Sequence, residues 1–165
     1  MPRDDIALSQ LGTAADKFQS DSQRDEGVKT EATVIPFPSQ DGRLDHFIQK
    51  DGQCFAGTHL IIDLWDATNL DDIDHIEETL KECVEVSGAT LLHCHLHRFN
   101  PEGVSGVLVL AESHISIHTW PEMGYAALDV FMCGDSQPHK AIDVLKRGFA
   151  TENVKVDDLR RGRVY

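Results

Sequence analysis

Hydrophobic and polar positions divide the 165-residue chain into two unlike parts. Up to about residue 50 no apolar periodicity lasts more than a few positions. Ser, Gln, Asp, Thr and Gly dominate there, and Pro36 and Pro38 interrupt the run. Such a segment buries too little to offset the entropy of ordering it, so residues 1–50 are expected to be a flexible extension. From Thr58 the pattern sharpens. THLIIDLW reads as a buried strand, bounded by Gly57 and the polar stretch from Asp66 to Asp72. Over 71–87, Ile73, Ile76, Leu80, Cys83 and Val84 recur at helical spacing, with acids opposite and Gly88 at the stop.

After Gly88 come ATLLHCHLHRF, the turn NPEG, VSGVLVLAE, HISIHTW, the turn PEMG and YAALDVFMC. These short alternating or apolar runs between turn residues predict antiparallel strands. Pro138 opens a second amphipathic segment carrying Ala141, Ile142, Leu145 and Phe149, and a short strand around Val154 to Val156 leads into the basic RRGR. Strand, helix, three or four strands, helix, strand is the order of an α+β chain. The expected architecture is a two-layer sandwich, a mainly antiparallel sheet with helices on one face. The other face needs a cover, for which a second subunit is the natural candidate.

Composition narrows the function classes. Hydrophobic residues at 41% and charged residues at 26% are an ordinary globular mix. Fifteen Lys and Arg against 28 Asp and Glu give a formal charge of −13, which disfavours a nucleic-acid partner and attracts a cationic small molecule. Nine acids and one base fall in 63–85, which reads as a solvated helix face and its entry. The longest apolar runs, such as Val107 to Ala111, are too short for a membrane span, and MPRDDIALSQ does not resemble a secretory signal. Cys54, Cys83, Cys94 and Cys133 form no CxxC pair and are expected to be reduced thiols in a cytoplasmic protein.

Histidine carries the first chemical signal, with nine in total and five between 93 and 118. His93, His95 and His97 alternate along one strand, as do His114, Ser116, His118 and Trp120 along another, so each set shares a face. A zinc or iron site can be built that way, but half-buried sheet histidines are as good a reading, and no carboxylate is evident to orient the rings. Glu112-Ser113-His114 offers another chemistry. A serine at a strained strand junction can attack the carbonyl before it and turn the peptide into an ester, given a base such as His118 five residues on. GxSxG is absent, so this is no hydrolase elbow, and a plain strand-end hydroxyl also fits.

The stretch GVSGVLVLAESHISIHTWPEMGYAALDVFMCG, Gly103 to Gly134, resembles the prokaryotic S-adenosylmethionine decarboxylase proenzymes. GTHLIIDLW, SGATLLHCHLHRF and the terminal RGR fit as well, so the likeness runs from about Thr58 to Gly162. It implies a domain over 51–165 that cuts itself between Glu112 and Ser113 into a β chain of 1–112 and an α chain of 113–165. Ser113 would become a covalent pyruvoyl group, the site of a Schiff base with the amino group of S-adenosylmethionine. By the same resemblance His118 serves proton transfer in processing, Ser105 assists it, and Cys133 protonates the decarboxylated product. Phe99 and Trp120 match positions that sandwich adenine, and Glu122 one that binds ribose. The implied product is decarboxylated S-adenosylmethionine for spermidine synthesis, made by a homodimer of processed protomers, (αβ)₂, without a metal. Asp63 falls where many relatives carry Glu, and Met123 where an aromatic or basic residue is usual.

Three other readings stand beside it. The same pyruvoyl machinery would decarboxylate arginine or ornithine, since Ser113, His118 and Cys133 serve any α-amino acid. A histidine-rich metal-binding module would use His93, His95, His97, His114 or His118. An unprocessed regulatory homologue would keep the fold and lack the cut.

Overall fold

A computed structural model describes residues 47–164. Most of the extension expected over 1–50 therefore lies outside the described residues. Its last residues do not follow the expectation: β1 (Ile48–Lys50) pairs antiparallel with β2 (Gln53–Phe55). The turn between them is made by Asp51 and Gly52, both at positive φ. With three residues per strand and a buried residue only at Phe55, the hairpin has too short a period to register as a pattern.

The remaining elements are β3 (Gly57–Trp65), α1 (Ile73–Val86), β4 (Leu91–Arg98), β5 (Val104–Leu110), β6 (Ser113–Trp120), a 3₁₀ turn (Pro121–Met123), β7 (Tyr125–Cys133), α2 (Lys140–Gly148) and β8 (Asn153–Arg161). Six strands form one sheet in the order β4-β5-β6-β7-β3-β8, every neighbouring pair antiparallel. Helix α1 starts where Asp72 accepts the His75 N–H at 3.1 Å, and it stops at Gly88, whose φ of 68° suits a residue without Cβ.

Alternation along each central strand sends Leu60, Ile62 and Leu64, Leu108, Ile115 and Ile117, and Leu128, Val130 and Met132 into one core. Ile76 and Leu80 of α1 and Val144 and Leu145 of α2 meet them there. Each such side chain contributes roughly 1.5–3 kcal/mol by leaving water. This is the α+β two-layer sandwich, with both helices on one face. Among the described residues nothing covers the other face, where Ile61, Val107, Val109 and Leu159 are each more than a third exposed.

Strand β8 is nine residues long rather than a short piece around 154–156. Val154 and Val156 reach the core, but Asp157 to Arg161 are polar apart from the exposed Leu159 and escaped the pattern. Their place in the sheet comes from the ladder with β3, which runs unbroken from Gly57↔Arg161 to Trp65↔Asn153. On an edge strand, main-chain bonding suffices.

Candidate active site

The β5–β6 turn is where Ser113 is set. Ala111 N–H donates to Thr90 O at 3.0 Å, and the Glu112 carboxylate accepts from the Thr90 N–H at 2.8 Å and its hydroxyl at 3.2 Å. The chain then enters β6 with Ser113 at φ 144°, a conformation that L-residues avoid. Strain of that kind costs on the order of 1–3 kcal/mol and persists only where neighbours enforce it. Across the sheet, Cys133 N–H donates to the Glu112 carbonyl oxygen at 3.0 Å. The carbonyl before Ser113 is thereby held and polarised, as an oxyanion site requires. Ser113 Oγ lies 2.9 Å from His114 Nδ1. Ser113, Glu112 and Cys133 line a recess of about 370 Å³, walled otherwise by Phe47, Ala56, Ala111 and Phe131.

A second cluster gathers at the far end of β6. Ser105 Oγ and His118 Nδ1 are 2.7 Å apart, opposite each other in the β5–β6 ladder. With Phe99, Trp120 and Glu122 they line a recess of about 230 Å³. Phe99 sits in the β4–β5 turn, closed by its N–H to Gly103 O at 2.7 Å. Asp71 braces that turn, pairing with the Arg98 guanidinium and accepting the Gly103 N–H at 2.8 Å. The Arg98 hydrogen bond, then the Gly103 N–H, hold the Asp71 carboxyl below its ordinary value. Nothing in the sequence singled out Asp71, because its partners come 27 and 32 residues later.

The sequence-predicted residues thus fall into two groups. Ser113 and Cys133 share one recess, with Glu112; Ser105, His118, Phe99, Trp120 and Glu122 share the other. Five residues of extended strand separate Ser113 from His118, about 17 Å at the usual rise. Within one protomer the imidazole at Ser113 is His114, and His118 is out of reach.

Between the two ends the open face carries a polar line. Asp129 accepts from Ser116 at 3.1 Å and lies 3.0 Å from His59 Nε2. Asp63, the position where Glu is usual, accepts the Tyr125 hydroxyl at 2.6 Å. Tyr125 stacks on Trp65 at 4.3 Å and leans on Trp120 at 5.3 Å between centroids. Tyr125 and Trp65 were missed by the sequence reading; their aromatic character at the strand ends was the only signal.

The Asp63 carboxylate, accepting this bond, pushes the Tyr125 phenol up to about 12. A raised phenol favours the folded state below its ordinary value near 10, and the advantage is lost as pH climbs toward 12. The chain has two tyrosines. Half of the phenolate absorbance is therefore expected to lag in an alkaline titration, and Asp63→Asn is expected to abolish the lag. A single ordinary transition in the unsubstituted protein would refute the bond.

His93, His95 and His97 stand exposed along β4, and among the described residues no three His, Cys, Asp or Glu side chains converge as a metal would need. Cys83 is fully buried, and burial raises its thiol pKa; its Sγ sits 3.8 Å from Ala141 O. Cys94 is likewise raised by burial, and Cys54 pairs by backbone with Val164. Met123 projects from the 3₁₀ turn, two-thirds exposed. No helix among the described residues is long and apolar enough to cross a membrane.

Residues 58–162 match the profile of the family described as S-adenosylmethionine decarboxylase. The chain is 50% identical over 109 residues to the S-adenosylmethionine decarboxylase proenzyme of Methanococcus maripaludis strain C7, covering 64% of this chain and 89% of that one. It is 46% identical over 110 residues to the proenzyme of that name from Thermosipho melanesiensis, covering 65% and 85%. Among solved structures it is similar to the adenosylmethionine decarboxylase from Aquifex aeolicus VF5, at TM-score 0.60 and 35% identity over 66% of this chain and 92% of that one. These likenesses define a decarboxylase made as a proenzyme. The chain belongs to the S-adenosylmethionine decarboxylase family. The arginine and ornithine readings gain nothing from these likenesses.

Proposed function

We propose that this chain cuts itself between Glu112 and Ser113 and then decarboxylates S-adenosylmethionine with a pyruvoyl group derived from Ser113. The observation that carries this reading is the junction itself. A positive φ at Ser113 and a Cys133 N–H on the Glu112 carbonyl prepare that carbonyl for attack by the Ser113 hydroxyl. His114 orients the hydroxyl. Oγ adds to the carbonyl carbon, the C–N bond breaks, and the nitrogen takes up the proton, leaving an ester. Loss of the Ser113 α-proton expels the Glu112 carboxylate. The resulting dehydroalanine takes up water and releases ammonia. Processed protein therefore consists of fragments 1–112 and 113–165.

A pyruvoyl group fits at residue 113, since the recess there is small, largely apolar and bordered by a thiol. When formed, it supplies an electron sink for the pair left behind by departing carbon dioxide. Cys133, on the same recess, delivers a proton to the substrate carbon. Phe99 and Trp120 hold the nucleoside by stacking, Glu122 takes ribose hydroxyls, and the acidic surface favours the sulfonium.

The proton-transfer pair Ser105–His118 and the nucleoside platform are about 17 Å along β6 from Ser113. We assign them to the neighbouring site in a two-fold dimer. Pairing the bare sheet faces about an axis near the middle of β6 would set one protomer's Ser113 beside the partner's His118, twice over. Ile61, Val107, Val109 and Leu159 supply the apolar surface that such pairing covers. After cleavage the assembly is an (αβ)₂ tetramer. A reduced Cys133 suits the cytoplasm, the compartment we assign. We take the catalytic domain to begin with the hairpin, at residue 47 and not at 51, since β1 pairs with β2.

The test is a carbon dioxide release assay on purified protein with S-adenosylmethionine, arginine and ornithine. Release from S-adenosylmethionine alone, from protein running as two fragments, is expected. Release from arginine or ornithine instead would overturn the substrate assignment. Cys133→Ser is expected to cut at Glu112–Ser113 but to turn over roughly 10²–10⁴-fold more slowly, the usual worth of a placed general acid. Its small fragment should acquire an alanine at the N-terminus as the proton goes to the wrong carbon. Mass spectrometry reads that change, and unaltered turnover with no alanine would remove Cys133 from the role.

A further inference from the structure

One wall of the Ser113 recess lies outside the stretch shared with the family. The match begins at residue 58, whereas Phe47 and Ala56, both lining that recess, come before it. Phe47 leads into β1 and Ala56 follows β2, so the hairpin presents both.

The hairpin is pinned rather than loose. Arg160 of β8 donates to Gln53 Oε1 at 2.9 Å and to Asp51 Oδ2 at 2.6 Å. Its guanidinium lies 5.3 Å from the centre of the Phe55 ring, which is 1% exposed. Ala56 N–H donates to Arg161 O at 2.8 Å, and Val164 N–H to Cys54 O at 2.8 Å. Contacts from the end of β8 and the segment after it therefore fix where Phe47 enters. Its ring is half-buried. Without it, that side of the recess would keep, among the described residues, the Ala56 methyl alone.

We propose that Phe47 is a positioning residue for the chemistry at Ser113. The hairpin holds its ring as a wall of the Ser113–Cys133 recess, where it keeps water from the thiol and packs on the amino-acid end of the substrate. The inference rests on the assignment of Ser113 and Cys133 made above. The substrate carboxylate loses its charge as carbon dioxide leaves, so an apolar wall favours the departing state over the hydrated one. The proton that follows must come from Cys133 to one carbon, and a dry recess keeps solvent from competing.

The first measurement needs no processed enzyme. Full-length Ser113→Ala protein, with and without Phe47→Ala, is treated with iodoacetamide and each cysteine is followed by peptide mass mapping. Alkylation of Cys133 is expected to rise on the order of tenfold in the double variant, the factor that follows from losing about half of a phenylalanine's burial energy. Cys94, on the distant edge strand β4, is the reference for general loosening and should keep its rate. The second measurement uses the native chain, where Phe47→Ala should still cut but lose roughly tenfold in kcat/KM for S-adenosylmethionine, with Phe47→Leu restoring most of it. An unchanged Cys133 alkylation rate overturns the proposal. A native chain that neither cuts nor releases carbon dioxide overturns the reading of Ser113 instead, and the alkylation comparison stands apart from that outcome.

Discussion

Ser113→Ala is expected to leave the protein as one intact chain of 18.4 kDa however long it is incubated. The cut needs a nucleophile one residue after the carbonyl, and alanine removes it while leaving the rest of the turn in place. Thr90 still holds the Glu112 carboxylate, and Cys133 N–H still donates to the Glu112 carbonyl. Such a carbonyl is polarised and unattacked, and uncatalysed hydrolysis of a peptide is immeasurably slow by comparison. Carbon dioxide release should vanish with the cut. Mass spectrometry and a gel decide the matter. Fragments 1–112 and 113–165 in the alanine variant would mean that water or another side chain breaks the bond, and Ser113 would lose its place as the source of the reactive carbonyl. Ser113→Cys sharpens the result, because a thiol also adds to a carbonyl and should restore cutting in part.

The elements were legible where one face is buried. THLIIDLW, HISIHTW and YAALDVFMC alternate with period two because their inner positions meet the helices, and that alternation survives in the composition. The end of β8 was not legible, because Asp157 to Arg161 are held by the β3 ladder and not by burial. The chemistry divides in the same way. Glu112, Ser113, His118 and Cys133 stood out through one long motif, which names residues without saying where they lie. What holds the junction in place is a set of contacts with distant residues: Thr90 on Glu112, 22 residues apart, and the Cys133 N–H on the same residue's carbonyl. A backbone donor leaves no trace in side-chain identity. The spacing of Ser113 and His118 also misled, since five residues suggest closeness in a helix or turn but separation along a strand. Only the register, with Ser105 opposite His118 and Leu110 opposite Ser113, reveals that the motif spans two recesses.

That separation sets up the most demanding test of the shared site. His118→Ala alone is expected to process roughly 10²–10⁴-fold more slowly, the usual loss on removing a placed general base. Ser113→Ala alone does not process at all. Co-expressed, the two impaired chains are expected to form mixed dimers in which, on the proposed pairing, one site joins the Ser113 of the His118→Ala copy to the partner's His118. The other site of that dimer lacks both groups. With random pairing of equal amounts, about half of the His118→Ala chains should be rescued and cut, and activity should return to roughly a quarter of the native value, one site of two in half of the dimers. Distinct tags on the two copies tell which one is cut by mass spectrometry, and the rescued fragment must carry the His118→Ala substitution. If His118 served the serine of its own protomer, bending across some 17 Å of paired strand, mixing would rescue nothing. The same null result would follow if His114, 2.9 Å from Ser113 Oγ, were the sole base, but then His118→Ala alone would cut at the native rate. The single and mixed variants together therefore separate a base supplied across the dimer from one supplied within the chain.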